Sequence, residues 1–319
     1  MNDLLYTIDT NTLDTINHDK KLEATKLLEQ GKIIYFPTYS FLLKQEESSL
    51  LTPAILHPKH KNISYDFCRQ HLNGIAKSNG SDEIYHVMQT LMHRFAVFSK
   101  HLIDTILPHY SEAFTWGRTS YRPAEIKGRN ASKRKDDTRL HVDSFKATPV
   151  HGLRILRVFC NINPQNAPRS WLVGEPFTTV AKKFLPKIPP YHQTRAQFLK
   201  LTKITKTLRT AYDHYMLHLH DQMKLDDEYQ QNVIKHAIDF PAQSTWIVFT
   251  DHVSHAALSG QFLLEQTFYL PVEAMNQPAL SPLRELEQFG LKGLQSLFLP
   301  PSHSTQNNPN VMSTNAKNI

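Results

Sequence analysis

Apolar residues recur at helical spacing over residues 82–107. There Ile84, Val87, Met88, Leu91, Phe95, Phe98, Leu102, Ile103 and Ile106 follow a 3.6-residue period, and Pro108 ends the run. A break inside this long stretch is compatible with the pattern. A shorter helix is predicted over residues 19–30, with Leu22, Ala24, Leu27 and Leu28 on or near one face and Gly31 as its C-terminal stop. Lys32-Ile33-Ile34-Tyr35-Phe36 reads as a strand, which Pro37 closes. Residues 53–65, with two prolines and two lysines, read as loop. The texture then changes. Residues 114–177 and 240–272 carry short runs of Val, Ile, Phe, Trp and Thr between turn residues, the signature of antiparallel β-structure. Residues 192–239, between those blocks, are polar and helical. A last helix is expected over 282–298, capped by Ser281 and stopped by Pro300-Pro301. Residues 302–319 have little to bury and are expected to form a disordered tail.

These elements predict an α+β fold in one domain spanning residues 1–301. It comprises a helical N-terminal part (about 1–110), a β-core (about 114–272) interrupted by the helical insertion 192–239, and a C-terminal helix. A β-core assembled from two distant blocks suits a jelly roll, where late strands pair with early ones.

Composition narrows the class. Of 319 residues, 40% are hydrophobic and 20% charged, as in a soluble globular protein. No run of about 18 apolar residues exists to span a membrane. Met1-Asn2-Asp3-Leu4-Leu5 lacks the basic and apolar regions of a secretory signal. Cys68 and Cys160 are far apart, so a reduced, cytoplasmic chain without a disulfide framework or cysteine metal site is expected. The net charge of +7 favours an anionic partner: nucleic acid, an acidic membrane surface, or a phosphorylated or carboxylated substrate.

The sharpest chemistry is His141-Val142-Asp143. Side chains two apart on a strand point the same way, so this imidazole and carboxylate can reach one metal ion. They supply two-thirds of a 2-His-1-carboxylate facial triad, which leaves half of an iron's coordination sphere open. With 18 histidines in the chain, a chance His-x-Asp on a solvated loop is the bland account. A third ligand is offered by Asp251-His252-Val253-Ser254-His255-Ala256-Ala257. His252 and His255 are three apart, so only one can join; His255 is preferred because small alanines follow it. Otherwise His252 is a loop residue and His255 a hydrogen-bonded core residue.

Iron sites of this kind commonly take a 2-oxo acid, whose far carboxylate needs a buried arginine. The strand Gly152-Leu153-Arg154-Ile155-Leu156-Arg157-Val158-Phe159 carries two, on opposite faces. An edge strand with both reaching water is the alternative. Arg169 and Trp171 pair a cation with a flat ring, which suits a carboxylated sugar. Residues 118–139 hold eight basic side chains; Lys133-Arg134-Lys135 reads as solvated loop, the whole as a candidate anion-binding rim. No nucleic-acid motif accompanies it. His214 and His218 have a zinc-compatible spacing but no accompanying acid in the protease pattern, so a polar helix face accounts for them better.

Taken together, Leu140-His141-Val142-Asp143-Ser144-Phe145, the 152–159 strand, Arg169-Ser170-Trp171-Leu172-Val173-Gly174-Glu175-Pro176-Phe177, His255-Ala256-Ala257-Leu258-Ser259-Gly260-Gln261 and Glu265-Gln266-Thr267-Phe268-Tyr269-Leu270 resemble the Kdo hydroxylases. The likeness covers most of residues 19–272. It implies a double-stranded β-helix, Fe(II) held by His141, Asp143 and His255, and 2-oxoglutarate and O2 as co-substrates. It further implies hydroxylation of carbon 3 of 3-deoxy-D-manno-oct-2-ulosonic acid (Kdo) on a lipid A precursor. Among the cations, Arg157, with Arg154 as the other candidate, is assigned to the oxo acid, and Arg122, Arg169 and Trp171 to the sugar. The basic surface would suit the acidic inner face of a membrane. A dioxygenase acting on a protein side chain or small metabolite, and a non-catalytic binder of acidic lipid, are the competing readings. The oligomeric state is left open.

Overall fold

The computed structural model describes residues 3–76, 81–291, 293 and 294. Eleven strands and seven α-helices lie along them. In chain order they are β1 (Leu5–Thr7), α1 (His18–Glu29), β2 (Ile33–Phe36), β3 (Ile63–Asp66), β4 (His71–Asn73), α2 (Asp82–Ile106), β5 (Thr115–Arg122), β6 (Arg154–Asn161) and β7 (Arg169–Val173). There follow α3 (Phe177–Phe184), α4 (Gln193–Leu201), α5 (Ala211–Leu225), α6 (Asp227–Asn232), β8 (His236–Phe240), β9 (Ser244–Phe249), β10 (His255–Ser259), β11 (Leu263–Leu270) and α7 (Pro282–Gln288).

The strands form an eight-stranded sheet, ordered β1-β2-β9-β6-β11-β5-β3-β4, and a three-stranded sheet, β10-β7-β8. Early and late strands interleave, with β6 between β9 and β11. The two distant β-blocks therefore do build one core. Alternation divides each strand between two environments. On the large sheet, Ile33, Phe159, Trp246, Val248 and Leu263 pack against Trp171, Phe240 and Ala257 of the small one. On its other face, Leu156, Val158, Ile247 and Phe268 meet helix residues Leu28, Leu102, Ile103 and Ile106. Further along, Ile63, Tyr121 and Leu264 meet Met88, Leu91 and Phe95 of α2.

α1 begins at Asn17, whose side chain accepts from the Lys20 amide, and ends at Gly31, at φ +87°. Leu22, expected near its apolar face, is 52% exposed. α2 runs unbroken for 25 residues behind its Ser81 cap. The helical insertion holds α4, α5 and α6 but gives way to β8 at His236, and helix already begins at Phe177 with α3. α7 stops at Gln288, ten residues short of the expected helix end. The rest of the expected helix lies partly, and the 302–319 tail wholly, outside the described residues. No described helix is long and apolar enough to cross a membrane.

The 127–140 segment differs most from expectation. It is latched to the insertion: Arg134 pairs with Asp221 (3.1 Å), Arg139 with Asp227 (2.6 Å), and Lys133 with Asp227. Arg139 also donates to the Lys224 carbonyl. Lys133 and Arg134 thus clasp the insertion, while all three residues 133–135 stay solvent-exposed as the loop reading expects.

Candidate metal centre and anion-binding cavity

His141 lies directly opposite His255 in an isolated antiparallel bridge. The His141 amide donates to the His255 carbonyl (3.0 Å) and the His255 amide to the His141 carbonyl (2.9 Å). Two residues on, the Asp143 amide donates to the Thr250 carbonyl (2.8 Å). Local β-geometry therefore fixes the backbone of all three. One ligand atom from each of His141, Asp143 and His255 lies within 4.8 Å of the others, and among the described residues no other group of this kind meets that test.

The donor set fits a divalent metal. Nδ1 of His141 lies 2.8 Å from the Arg139 carbonyl, and Nδ1 of His255 2.8 Å from the Val253 carbonyl. A carbonyl can only accept, so each Nδ1 carries the proton and each Nε2 keeps its lone pair for a ligand bond. Burial, together with Lys224 and the neighbouring imidazoles, holds the His141 value well below the ordinary 6.5, and burial lowers His255 too. Asp143 is pushed up by burial and pulled down further by Arg157, to about 2. Two neutral imidazoles and one carboxylate therefore stand ready at neutral pH. Oδ1 of Asp143 stands 3.6 Å from Nε2 of His141, while Oδ2 faces Arg157 at 3.3 Å.

His252 takes the other direction, as spacing by three requires. Its Nε2 lies 2.8 Å from Glu285 Oε1 on α7, so the His255 alternative is the one the structure brings to the site. His214, expected on a polar helix face, bonds through Nε2 to the Pro189 carbonyl (2.8 Å).

Around the triad is a cavity of about 360 Å³ lined by Arg122, Arg157, Arg169, Trp171 and the triad itself. β6 is a central strand, so its two arginines are both buried, not at a solvent edge. Arg157 enters the cavity, 3.3 Å from Asp143 Oδ2 and 2.9 Å from Glu265 Oε1. Arg154 does not. It faces the helix side, held by Asp251 at 2.7 Å and stacked on Phe249 at 3.8 Å. As a candidate for the oxo acid it is corrected: its charge is already consumed in a fully buried ion pair.

Arg122, at the end of β5, reaches Glu265 from the opposite side at 3.0 Å. Burial raises the Glu265 carboxyl, but Arg122 and Arg157 outweigh it and hold it below its ordinary value. Arg169 donates to the Gly260 carbonyl (2.7 Å), yet its Nε has no partner and no carboxylate pairs with it. Burial and nearby Arg122 push it down to about 9, which leaves it cationic at neutral pH and short of an anion. Its approach depends on Gly260, at φ +109°, where a Cβ would stand 3.0 Å from Arg169 Cδ. Trp171 stacks on the His255 ring, centroids 5.0 Å apart at 22°.

Several cavity residues are given no site role by the sequence: Lys61, Asp137, His220, Lys224 and Glu265. For Glu265 a signal existed. It is a carboxylate at an inward position of an apolar strand, between Leu263 and Thr267. His220, whose ring stands edge-on to His141 at 5.3 Å, gave none.

Comparison with curated proteins gives no match. Solved structures are more informative. The chain is 44% identical to the Kdo hydroxylase KdoO, a non-heme Fe(II) α-ketoglutarate-dependent dioxygenase, in its cobalt(II) complex, at a TM-score of 0.89 over 93% of this chain and 99% of that one. KdoO with α-ketoglutarate and Fe(III) superposes at 0.87, with 44% identity over 92% and 99% of the two chains. KdoO with succinate and Fe(III) gives 0.88, with 44% identity over 93% and 99%. The fold is accordingly of the jelly-roll dioxygenase class, with mixed α and β content. Residues 11–292 match the family described as 3-deoxy-D-manno-oct-2-ulosonic acid (Kdo) hydroxylase, and this chain belongs to that family.

Proposed function

We propose that this chain is an iron(II)- and 2-oxoglutarate-dependent dioxygenase that hydroxylates carbon 3 of Kdo on a lipid A precursor. The balance is one O2 and one 2-oxoglutarate consumed, one hydroxyl added, and succinate and CO2 released. The observation that carries it is the pair of Nδ1 hydrogen bonds, which leaves two imidazole lone pairs beside an ionised Asp143 in a cation-rich cavity. We read the two facing sheets as a double-stranded β-helix and residues 1–301 as one dioxygenase domain.

His141, Asp143 and His255 would hold the iron, which supplies the oxidising power that couples O2 and the oxo acid to C–H hydroxylation. The remaining work belongs to the protein. Arg157 sits beside Asp143 and offers its guanidinium to a carboxylate of the oxo acid, with Glu265 orienting it. Arg169, short of an anion, together with Arg122, suits the acid group of the sugar. Trp171 and Phe159, in edge-on contact at 5.2 Å, form an apolar wall that keeps water from the reacting carbon. The net charge of +7 and the basic rim favour a substrate presented at an acidic membrane surface, so we place the protein in the cytoplasm at that surface.

The deciding experiment is mass spectrometry of Kdo-bearing lipid A after incubation with Fe(II), 2-oxoglutarate and O2. One oxygen gained on the sugar per succinate is expected. Oxo acid consumed while the sugar stays unchanged would overturn the assignment of the substrate.

A further inference from the structure

Helix α5, in the segment between β7 and β8, sends His220 and Lys224 into the cavity, and the roles above leave Lys224 without a task. Lys224 is only 2% exposed. Its ammonium makes no hydrogen bond to a described residue; its ion-pair partner, Asp137 Oδ1, is 3.7 Å away. An ammonium held at the wall of a cavity with one distant counter-ion is poorly compensated, and it gains when an anion arrives.

Asp137 cannot meet that demand, because it serves several cations. Lys61 Nζ lies 3.0 Å from both of its carboxylate oxygens, and Arg122 stands 4.0 Å from it. The Asp137 backbone carbonyl accepts from the Ala257 amide (2.8 Å), which fixes the residue beside β10. One carboxylate thus faces cations from three separate parts of the chain. The whole cavity repeats the imbalance, with seven Lys and Arg side chains against three carboxylates. Of those carboxylates, Asp143 is turned to the metal site and Glu265 is consumed by Arg122 and Arg157.

We propose that Lys224 binds a carboxylate, that Lys61, which Asp137 and the Lys135 carbonyl hold beside it, adds its charge to complete a clamp, and that this clamp is what α5 contributes to the site. The inference rests on the functional reading above, under which two acids enter the cavity, the sugar acid and the oxo acid. Arg157 is the cation beside Asp143, so the sugar acid is the expected occupant of the clamp, which shares it with Arg122, itself 4.0 Å from Asp137. The clasp between residues 133–139 and Asp221 and Asp227 keeps α5 in position to present Lys224.

The test is calorimetric binding to the full-length protein loaded with Mn(II) without oxygen, so that no turnover is needed. The probes are 2-oxoglutarate and Kdo-bearing lipid A in detergent micelles. Lys224→Met and Lys61→Met are each expected to weaken Kdo binding by about 10-fold or more, the worth of a charge-assisted hydrogen bond, with 2-oxoglutarate within about two-fold of wild type. Weakening of 2-oxoglutarate instead assigns the clamp to the oxo acid. Variants that bind both acids as wild type does overturn it. Lys61 is part-exposed, so its variant reports even if Lys224→Met fails to fold, and Lys224→Arg should retain binding. Wild-type protein that does not bind the Kdo carrier would refute the functional reading, and the oxo-acid arm alone would then decide the clamp.

Discussion

His141 and His255 exchange two backbone hydrogen bonds across one antiparallel bridge, and their ring centroids are 4.7 Å apart. Two residues 114 positions apart in the chain are thereby set face to face by main-chain geometry alone. Side-chain substitution should therefore remove a ligand without displacing its partner.

Asp143→Asn and His255→Gln are expected to fold and to lose at least about 100-fold in affinity for Co(II), more than loss of an outer hydrogen-bond partner costs. Calorimetry measures the affinity. The rise in melting temperature that Co(II) gives the wild type should vanish in both variants. Retained affinity in either would remove that residue from the ligand set.

Glu265→Gln should be among the more damaging substitutions in the cavity. It strips the shared counter-ion from two guanidiniums, Arg122 at 3.0 Å and Arg157 at 2.9 Å. Breaking such a buried arrangement costs about 3–5 kcal/mol. Glu273→Gln, which loosens only an exposed 3.7 Å pair with Arg284, should cost no more than about 1 kcal/mol. Urea unfolding of both variants checks the contrast.

Arg154→Met and Arg157→Met should separate stability from binding. The first leaves Asp251 buried without its cation and should cost about 3–5 kcal/mol while 2-oxoglutarate affinity holds. The second should raise the KM for 2-oxoglutarate by about 10-fold or more, through loss of a charge-assisted contact. The reverse pattern would exchange their roles.

The metal-free protein should lose stability on acidification in two stages. His141 and His255 have folded values below 6.5, so under about pH 6.5 the unfolded chain takes up protons that the folded chain resists. Asp143, at about 2 when folded against 3.8, stabilises the fold above about pH 4, and that contribution fades as pH falls towards 2. Urea midpoints at about pH 7.5, 5.5 and 3.5 should fall in that order. A flat profile between the first two would contradict the histidine part.

The parts of the site legible in the sequence were those governed by alternation along a strand. His141-Val142-Asp143 shares a face, His252 and His255 do not, and Arg154 and Arg157 do not. Which of two opposed faces meets the cavity was not legible, because that depends on what covers each side of the sheet. β6 lies between β9 and β11 with helices on one face and the small sheet on the other, so it buries arginines that periodicity alone could leave on an edge. Lys224 and His220 were missed for a different reason. Their orientation follows from how α5 docks, and the clasp onto Asp221 and Asp227 joins residues 87 to 94 positions apart. The same distance hid the fate of Lys133 and Arg134.

The opposed guanidiniums of β6 also constrain how the protein can assemble. Sliding this strand by one residue against β9 or β11 would turn Arg154 towards the catalytic chamber and thrust Arg157 among the aliphatic side chains beneath α1 and α2. Asp251 and Glu265 would both be stranded by that single error. The mispaired sheet thus incurs two electrostatic faults at once, and the chain carries its own check on alignment in the same strand that arms the reaction centre.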